Sequence, residues 1–283
     1  MNELPLISII TSVYNDVGYL EELIRSVLRQ EYPHIEHIVI DDGSDDGGNT
    51  IEIIRKYPHL KWWSRENKGQ YASLNDGLLV AAGVLVCFIS ADDILLPNAA
   101  ELAVTFLRDN PNFDGVFGNT AYMDDKGNPQ PYFIPFRNAP ISFVAYLAHI
   151  SHCSLFTKRD PLIKYKLQFD PSLHYVGDYE WMIRLSKSQL KIGHLDKELS
   201  IVRLHREQTS HVNHPASSLE KRMVIHDRKI NRVYYLFVWS LYVTAVRIWK
   251  VKYYINRSGV RGLVRAISEW FDYLYLQKGN KRM

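Results

Sequence analysis

The sequence predicts an α/β fold with a mostly parallel sheet flanked by helices and a helical C-terminal extension. Short apolar runs alternate with segments whose apolar residues recur at helical spacing, and the connections are only a few residues long. This alternation is typical of βαβ units. One run, 84–89, is apolar throughout, as in a strand buried on both faces. With 46% hydrophobic and 23% charged residues among 283, the composition is that of a globular protein.

The first hundred residues contain four predicted strands, and each is followed by a predicted helix. The strands are expected at 6–13, 37–40, 60–63 and 84–89. The helices are expected at about 18–30, around 51–57, after Gly69 and at about 98–108. Two strands end in acidic turns, 41–47 and Asp92-Asp93. Right-handed crossovers place both turns at one edge of the sheet, where open α/β sheets bind ligands.

The second part of the chain is less regular. The predicted elements are a strand at 113–117, a loop at 124–129, irregular chain at 129–141, a helix at 142–149, a strand at 153–157, a helix from Gly177 to Leu185 and a strand at 199–204 that ends at His205.

The composition changes from about residue 219. The uncharged stretch 233–246 has 14 residues, whereas a membrane-spanning helix needs roughly 20. From Arg247 onwards there are nine basic and two acidic residues, a net charge of +7, and the rest of the chain carries −4. A basic helix with aromatic borders suits either a membrane interface, through residues 230–275, or packing on the core. The sequence leaves both open.

Two cysteines, Cys87 and Cys153, do not form a disulfide framework, so a reducing compartment is expected. The N-terminus lacks a basic segment followed by an apolar one, so no signal peptide is expected. The expected location is the cytoplasm, with the inner face of the cell membrane as an extension of that prediction.

Two acidic turns suggest the chemistry of the site. The chain has neither of the glycine-rich phosphate-binding motifs, so a metal that bridges phosphate to a carboxylate is the alternative. Asp92 is the natural ligand for Mg²⁺ or Mn²⁺. Asp41 or Asp42 would accept hydrogen bonds from a base or ribose. The plainer alternative is that these acids only form turns and helix caps. His152 and Cys153 are expected to be packing residues.

Four segments in order, 7–15, 38–47, 66–77 and 90–93, resemble the successive motifs of family 2 glycosyltransferases of the bacterial surface-polysaccharide type. The resemblance implies a GT-A fold, in which a Rossmann-like sheet is flanked by helices. It also implies an enzyme, a hexosyl- or N-acetylhexosaminyl-transferase. Such an enzyme transfers a sugar from a nucleotide donor, with UDP favoured, and inverts the configuration at the anomeric carbon. The sequence departs from the family pattern at Ser90, because the commonest form of the last motif has an acidic residue at that position.

The resemblance also implies residue roles. Thr11, Tyr14 and Asn15 would line the nucleotide pocket and Asp42 would face the base or ribose. Lys68, Gly69 and Asn75 would shape the donor site. Asp92 would bind the metal, Mn²⁺ or Mg²⁺, with His205 as a weaker ligand. Asp93 would be secondary, and Arg206 would neutralise phosphate.

The segment Gly177–Trp181 resembles the one that supplies the catalytic base in this family. Asp178 is the expected base, with Glu180 as the fallback, and a helix-capping role for Asp178 is the alternative. The loop 206–215 is expected to form a lid over the donor.

These inferences divide the chain into a glycosyltransferase domain at 1–215 and a helical, basic extension at 216–283. Within the domain, 1–100 would bind the nucleotide sugar and 101–215 would supply the acceptor and catalytic half. The expected partners are a nucleotide-sugar donor and a glycan or lipid-linked acceptor in cell-envelope polysaccharide synthesis, with no nucleic acid and with oligomerisation left open. The alternatives are a non-catalytic nucleotide-sugar scaffold and a nucleotidyltransferase.

Overall fold

A computed structural model describes residues 4–131, 151–205, 208 and 215–228, together with six single positions between 237 and 252. The chain forms two compact units, Met1–Ile230 and Asn231–Met283. The helix predicted at 142–149 and most of the basic extension lie outside the described residues. No helix in the described part of the chain is long and apolar enough to cross a membrane.

The first unit is built on one mixed sheet, and the predicted α/β class is confirmed. Its strands are β1 (Ile7–Val13), β2 (Ile35–Asp41), β3 (Lys61–Ser64), β4 (Leu85–Phe88), β5 (Ile94–Leu95), β6 (Gly115–Asp124), β7 (Pro129–Gln130), β8 (Leu155–Lys158) and β9 (Ile192–Leu204).

Helices flank this sheet. They are α1 (Leu20–Leu28), α2 (Asn49–Arg55), α3 (Gln70–Val80), α4 (Ala99–Asp109), α5 (Arg159–Lys164), α6 (Gly177–Lys187) and α7 (Pro215–Asp227). A short 3-10 helix, His152–Ser154, precedes β8.

The strand order is β3-β2-β1-β4-β8-β6-β9-β5, and β7 pairs with β6. The first four strands run parallel, as the sequence predicts. β8 then runs antiparallel to both β4 and β6, and β9 runs parallel to β6. The two strands β6 and β9 are longer than the apolar runs predict, because they pair along ten residues of β6 with irregular register at Gly118 and Asn119.

The core lies on both faces of the sheet because side chains alternate along each strand. In β1, Ile7 and Ile9 face one cluster with the apolar sides of α1, α2 and α4, whereas Ile10 faces a second cluster with α3 and α6. Both faces of the parallel strands are therefore covered. The carboxyl ends of the strands are the edge where the turns after β1, β2 and β4 gather.

Helix α3 packs closely on the sheet at Gly77. A methyl group added there would lie 2.4 Å from Cγ2 of Ile10 and 2.9 Å from Cδ1 of Ile40. Both isoleucines are fully buried. Only a residue without a side chain lets the helix approach this near.

We expect Gly77→Ala to lower the free energy of unfolding by about 1–3 kcal/mol, because the added carbon overpacks the core. The usual gain of replacing a helical glycine is about 0.5–1 kcal/mol and has the opposite sign. Denaturant unfolding measures the difference. Gly18→Ala is the control, since its new carbon meets no atom within 4 Å. A stabilised Gly77→Ala protein would contradict the close packing.

Candidate active site

A cavity of about 620 Å³ opens at the carboxyl edge of the parallel strands. Its size is within the range of small-molecule sites. It is lined by the turns after β1, β2 and β4, the start of α3, the segment before α6 and the end of β9. The lining residues are Ser12, Tyr14, Asn15, Asp16, Gly18, Tyr19, Asp42, Asn67, Gly69, Gln70, Tyr71, Ser90, Ala91, Asp92, His152, Leu173, His174, Tyr175, Asp178, His205 and Gln208.

Asp42 fastens the loop that follows β3. Its buried carboxylate accepts the backbone N–H of Gly69 at 2.8 Å and of Lys68 at 3.2 Å, and the hydroxyl of Ser73 at 2.9 Å. Arg65 Nε lies 3.2 Å from the same carboxylate. These bonds use both carboxylate oxygens. Asp42 therefore lines the cavity itself and also holds in place the loop that forms the adjacent wall.

Gly43 lets the β2 turn lie against this same loop. Its φ of +79° is in the left-handed region, and a side chain there would come within 2.8 Å of the backbone nitrogen of Asn67. Asp41, by contrast, points away from the cavity and accepts the hydroxyl of Ser64 at 2.5 Å and the N–H of Ser44 at 3.2 Å. The structure thus places Asp42 rather than Asp41 at the cavity.

The turns after β1 and β2 are joined by side chains. Asn15 donates to Asp45 at 2.6 Å and accepts the N–H of Asp45 at 2.9 Å, while its own N–H donates to Ser44. The Tyr14 hydroxyl donates to Asp45 at 3.3 Å, and the phenol is 47% exposed. Tyr14 therefore presents an open aromatic face at the cavity mouth.

Three residues expected near the donor, Thr11, Lys68 and Asn75, are not among the lining residues. Thr11 is fully buried and its hydroxyl lies 3.1 Å from Nε2 of His37, because alternate residues of β1 face opposite sides. Asn75 instead makes two 2.9 Å hydrogen bonds to the backbone of Phe169. Lys68 contacts the Asp42 carboxylate through its backbone N–H. Of Lys68, Gly69 and Asn75, only Gly69 lines the cavity.

Asp92 and His205 meet on the cavity wall. Oδ2 of Asp92 lies 2.9 Å from Nε2 of His205. Arg203 donates to the carbonyl of Asp92 at 3.2 Å, and its guanidinium lies 4.4 Å from the ring centre of Tyr19. The Tyr19 ring lies 5.1 Å from the His205 ring, and Arg203 also pairs with Glu22. This stack fixes the end of β9 beside the turn after β4.

Asp93 is directed into the protein instead. It is 4% exposed, accepts the N–H of Arg203 at 3.0 Å and contacts Sγ of Cys153 at 3.0 Å. Burial raises the pKa of Asp93 well above its usual range, and Cys153 and Asp92 add to this. Burial also favours the Cys153 thiol, but His152 lowers the pKa of Cys153 to about 7. The two adjacent acids therefore have different environments.

Asp178 lies in the first turn of α6 and reaches the cavity with 39% of its side chain exposed. Burial opposes its ionisation, but the nearby His152 and the backbone N–H of Tyr179 outweigh that effect, and the pKa of Asp178 is lowered. The carboxylate is therefore ionised at neutral pH. An ionised, partly exposed carboxylate in a cavity is able to accept a proton.

Glu180, the fallback base of the sequence analysis, is not among the residues that line the cavity. It is 1% exposed and pairs with Arg184 at 2.6 Å and Arg228 at 2.5 Å. Two residues along a helix lie about 200° apart around its axis, so Asp178 and Glu180 face different sides. The structure thus places Glu180 as an ion-pair partner of two arginines and Asp178 at the cavity.

The residues that hold the Asp178 segment were not evident from the sequence. Glu220 of α7 accepts the backbone N–H groups of His174, Tyr175 and Val176 at 2.7–3.1 Å. No local pattern predicts this contact across some 45 residues. The sequence predicts only a packing role for His152, yet this residue lines the cavity. Its role depends on tertiary placement that the flanking sequence does not indicate.

Asp16 is another missed lining residue, although it directly follows the predicted Tyr14-Asn15 turn. It accepts the N–H of Tyr19 at 3.1 Å. Burial raises the pKa of Asp16, and the nearby charge of Asp92 raises it further. Arg206 and most of the expected lid at 206–215 lie outside the described residues, although Gln208 is among the lining residues.

The charged and polar residues of the cavity indicate whether it could bind a metal ion. Of its described lining residues, four are aspartates and none is lysine or arginine. Asp92 and His205 supply an oxygen and a nitrogen ligand side by side, a donor pair that Mn²⁺ accepts. Within the described residues there is no cluster of three or more acidic, histidine or cysteine ligands. The residues therefore fit a cation that takes its remaining ligands from a phosphate and water.

Comparisons with known proteins indicate the family. A model described as Glycosyl transferase family 2 matches residues 8–184. An uncharacterized glycosyltransferase of Rickettsia felis is 30% identical over 248 residues, which cover 84% of this chain and 39% of the relative. Another, from Rickettsia typhi, is 32% identical over 73% of this chain and 66% of the relative. The chain spans about two fifths or less of the first curated relatives.

Solved structures agree on the fold. S. aureus TarS 1-349 in complex with UDP-GlcNAc matches with a TM-score of 0.66 at 17% identity, over 93% of this chain and 80% of that one. The complex of TarS 1-349 with UDP matches with a TM-score of 0.60 at 22% identity, over 70% and 60%. At these identities the likeness concerns the fold alone.

Because Asp42 is buried among four donors, we expect Asp42→Asn to lower the free energy of unfolding by about 2–4 kcal/mol, as the amide cannot accept all four bonds and Arg65 loses one of its two carboxylate partners, Asp76 being the other. Chemical denaturation measures this. Asp109→Asn, at the exposed end of α4, is the matched control and should change stability by less than about 0.5 kcal/mol. Equal stabilities for the two variants would show that the bonds of Asp42 do not hold the loop.

Proposed function

Since this chain belongs to glycosyl transferase family 2, we propose that it is an inverting enzyme that moves a sugar from a UDP-linked donor to an acceptor hydroxyl. The single observation that supports this most is the joint lining of one cavity by Asp92 with His205 and by Asp178. Asp92 and His205 are suited to bind a cation that also binds the diphosphate, and Asp178 is suited to act as the base. A one-step displacement requires both functions in one site.

The proposed donor is a nucleotide sugar that occupies the edge near β1 and β2. Support comes from the fold shared with TarS, whose solved complexes contain UDP and UDP-GlcNAc. The exposed ring of Tyr14 and the wall formed by Asp42 and Gly69 offer a flat aromatic surface and hydrogen-bonding groups for a base and ribose.

The proposed cofactor is Mn²⁺ or Mg²⁺ held by Asp92 and His205. A diphosphate placed among four aspartates would be repelled without a cation, since no lysine or arginine is found among the described lining residues. When bound, the cation would stabilise the charge that develops on the departing diphosphate. Asp92 and His205 keep their places through Arg203 and Tyr19.

The proposed base is Asp178. Its carboxylate accepts the proton of the acceptor hydroxyl while the acceptor oxygen bonds to the anomeric carbon and the bond to the diphosphate breaks. The lowered pKa keeps the carboxylate ionised under assay conditions. Its buried helix and the contacts of Glu220 hold it in position.

The proposed acceptor is a glycan or a lipid-linked saccharide of cell-envelope polysaccharide, at the inner face of the cell membrane. This follows from the family resemblance and from the basic, aromatic composition of residues 230–275. Flotation with anionic liposomes tests the membrane contact. If the protein stays out of the lipid fraction at low salt, the proposed membrane contact is ruled out.

We expect Asp92→Asn to abolish metal-dependent donor binding and to lower transfer by at least about 100-fold, because the amide is a weak ligand for a hard cation. Calorimetry with UDP-GlcNAc, with Mn²⁺ and with EDTA, measures binding. Asp109→Asn is the control. Donor binding that survives both Asp92→Asn and EDTA unchanged would rule out the metal role.

We expect Asp178→Asn to lower kcat by about 10²–10⁴-fold with little change in the donor KM, because general base catalysis contributes that much. Steady-state transfer assays measure both constants. Glu180→Gln is the matched comparison: it should lower the melting temperature, through the loss of its two arginine pairs, and retain a functional base. Full transfer by Asp178→Asn would disprove the assignment.

A further inference from the structure

His152 lies between the turn after β4 and the carboxylate of α6. Its Nε2 is 3.2 Å from the hydroxyl of Ser90, and its Nδ1 is 3.8 Å from Oδ2 of Asp178. Both neighbours line the same cavity. One imidazole thus bridges a residue of the last donor-side motif and the proposed base.

The Nδ1 atom of His152 is buried and has no hydrogen-bond partner among the residues that the structure describes. Buried polar atoms in native proteins almost always have one. The Asp178 carboxylate, at 3.8 Å, is just beyond hydrogen-bond length. Catalytic hydrogen bonds are often long in the free enzyme and shorten when substrates bind. A small rotation of the Asp178 side chain would give Nδ1 its partner.

The electrostatics agree with this geometry. Burial disfavours the charged imidazole, but Cys153 and Asp178 outweigh it, and the pKa of His152 is raised well above its usual value. The pKa of Asp178 moves in the opposite direction. Each group therefore favours the charged form of the other, as expected for a coupled pair.

Other titratable groups face the pair. Asp178 also interacts electrostatically with Lys221 of α7 and with the Tyr71 hydroxyl of α3. On the other side, Nε2 of His152 lies 3.6 Å from Sγ of Cys153. Burial lowers the pKa of Lys221, and Asp178 partly offsets this. His152 is the group with a ring nitrogen aimed at the carboxylate.

We propose that His152 is a positioning residue that orients Asp178 for proton abstraction, and that Ser90 fixes the imidazole through its other ring nitrogen. This rests on the proposed function, in which Asp178 is the base. The same arrangement gives a reason for serine at position 90. A carboxylate there would place a second anion about 3.2 Å from the imidazole and compete with Asp178 for it.

The ring geometry supplies a matched pair of variants. In His152→Asn the amide nitrogen occupies about the place of Nδ1, so a donor towards Asp178 remains. In His152→Gln the amide lies near Nε2, so the Ser90 contact remains and the donor to Asp178 is lost. Histidine at the exposed position 59 provides the control, His59→Gln.

We expect His152→Gln to lower kcat by about 10–100-fold, the usual effect of losing a group that orients a functional one, with the donor KM unchanged. Because the imidazole lowers the pKa of Asp178, its loss should move the acidic limb of the kcat–pH profile to higher pH. His152→Asn should recover part of kcat, and His59→Gln should match the parent enzyme.

A readout independent of transfer is the carboxyl ¹³C titration of Asp178 by NMR, assigned with Asp178→Asn. The pKa of Asp178 obtained from this titration should be higher in His152→Gln than in the parent enzyme. In Ser90→Ala, which keeps the imidazole, the increase should be smaller. The Ser90→Ala variant also provides the test if His152→Gln folds poorly. Unchanged titration and an unchanged pH profile would overturn the positioning role alone. Full transfer by Asp178→Asn would overturn the proposed base and the positioning role together.

Discussion

The hydrogen bonds of the Asp42 carboxylate are the interaction on which the cavity depends. They join the end of β2, the loop 65–69 and the first turn of α3, three segments that no continuous element connects. An unpaired buried carboxylate is costly, so the loop and the acid stabilise each other. Because Gly43 lets the backbone of the turn lie against that loop, the wall is set by the backbone and changes little with the identity of exposed side chains.

A second constraint divides two adjacent acids between structure and chemistry. Asp93 faces inward and holds β9 by the N–H of Arg203, whereas Asp92 faces the cavity beside His205. Arg203 contacts both, through its backbone and through its guanidinium. The end of β9 is therefore tied to the turn after β4. His205 lies two residues beyond this junction and contacts Asp92 directly.

The parallel half of the fold was predictable because strands buried on both faces are continuous apolar runs, as in β1, β2 and β4. The extent of β9 was not, since its exposed charged residues 196–198 interrupt the pattern opposite irregular pairing in β6. Helical spacing could have separated Asp178 from Glu180, because residues two apart point to different sides. The place of His152 could not be predicted, since it depends on contacts across some 60 residues.

The two hydrogen bonds between Asn75 and Phe169 have a consequence for how the chain folds. They join residues 94 positions apart, and β4 finds its second neighbour only in β8. The edge of β4 stays open until the residues of β8, up to Lys158, have left the ribosome, and α3 lacks its attachment until Phe169 has emerged. Such distant pairing slows folding and leaves a strand edge exposed meanwhile. The first hundred residues are therefore an incomplete folding unit, and a fragment that ends there would be prone to aggregate.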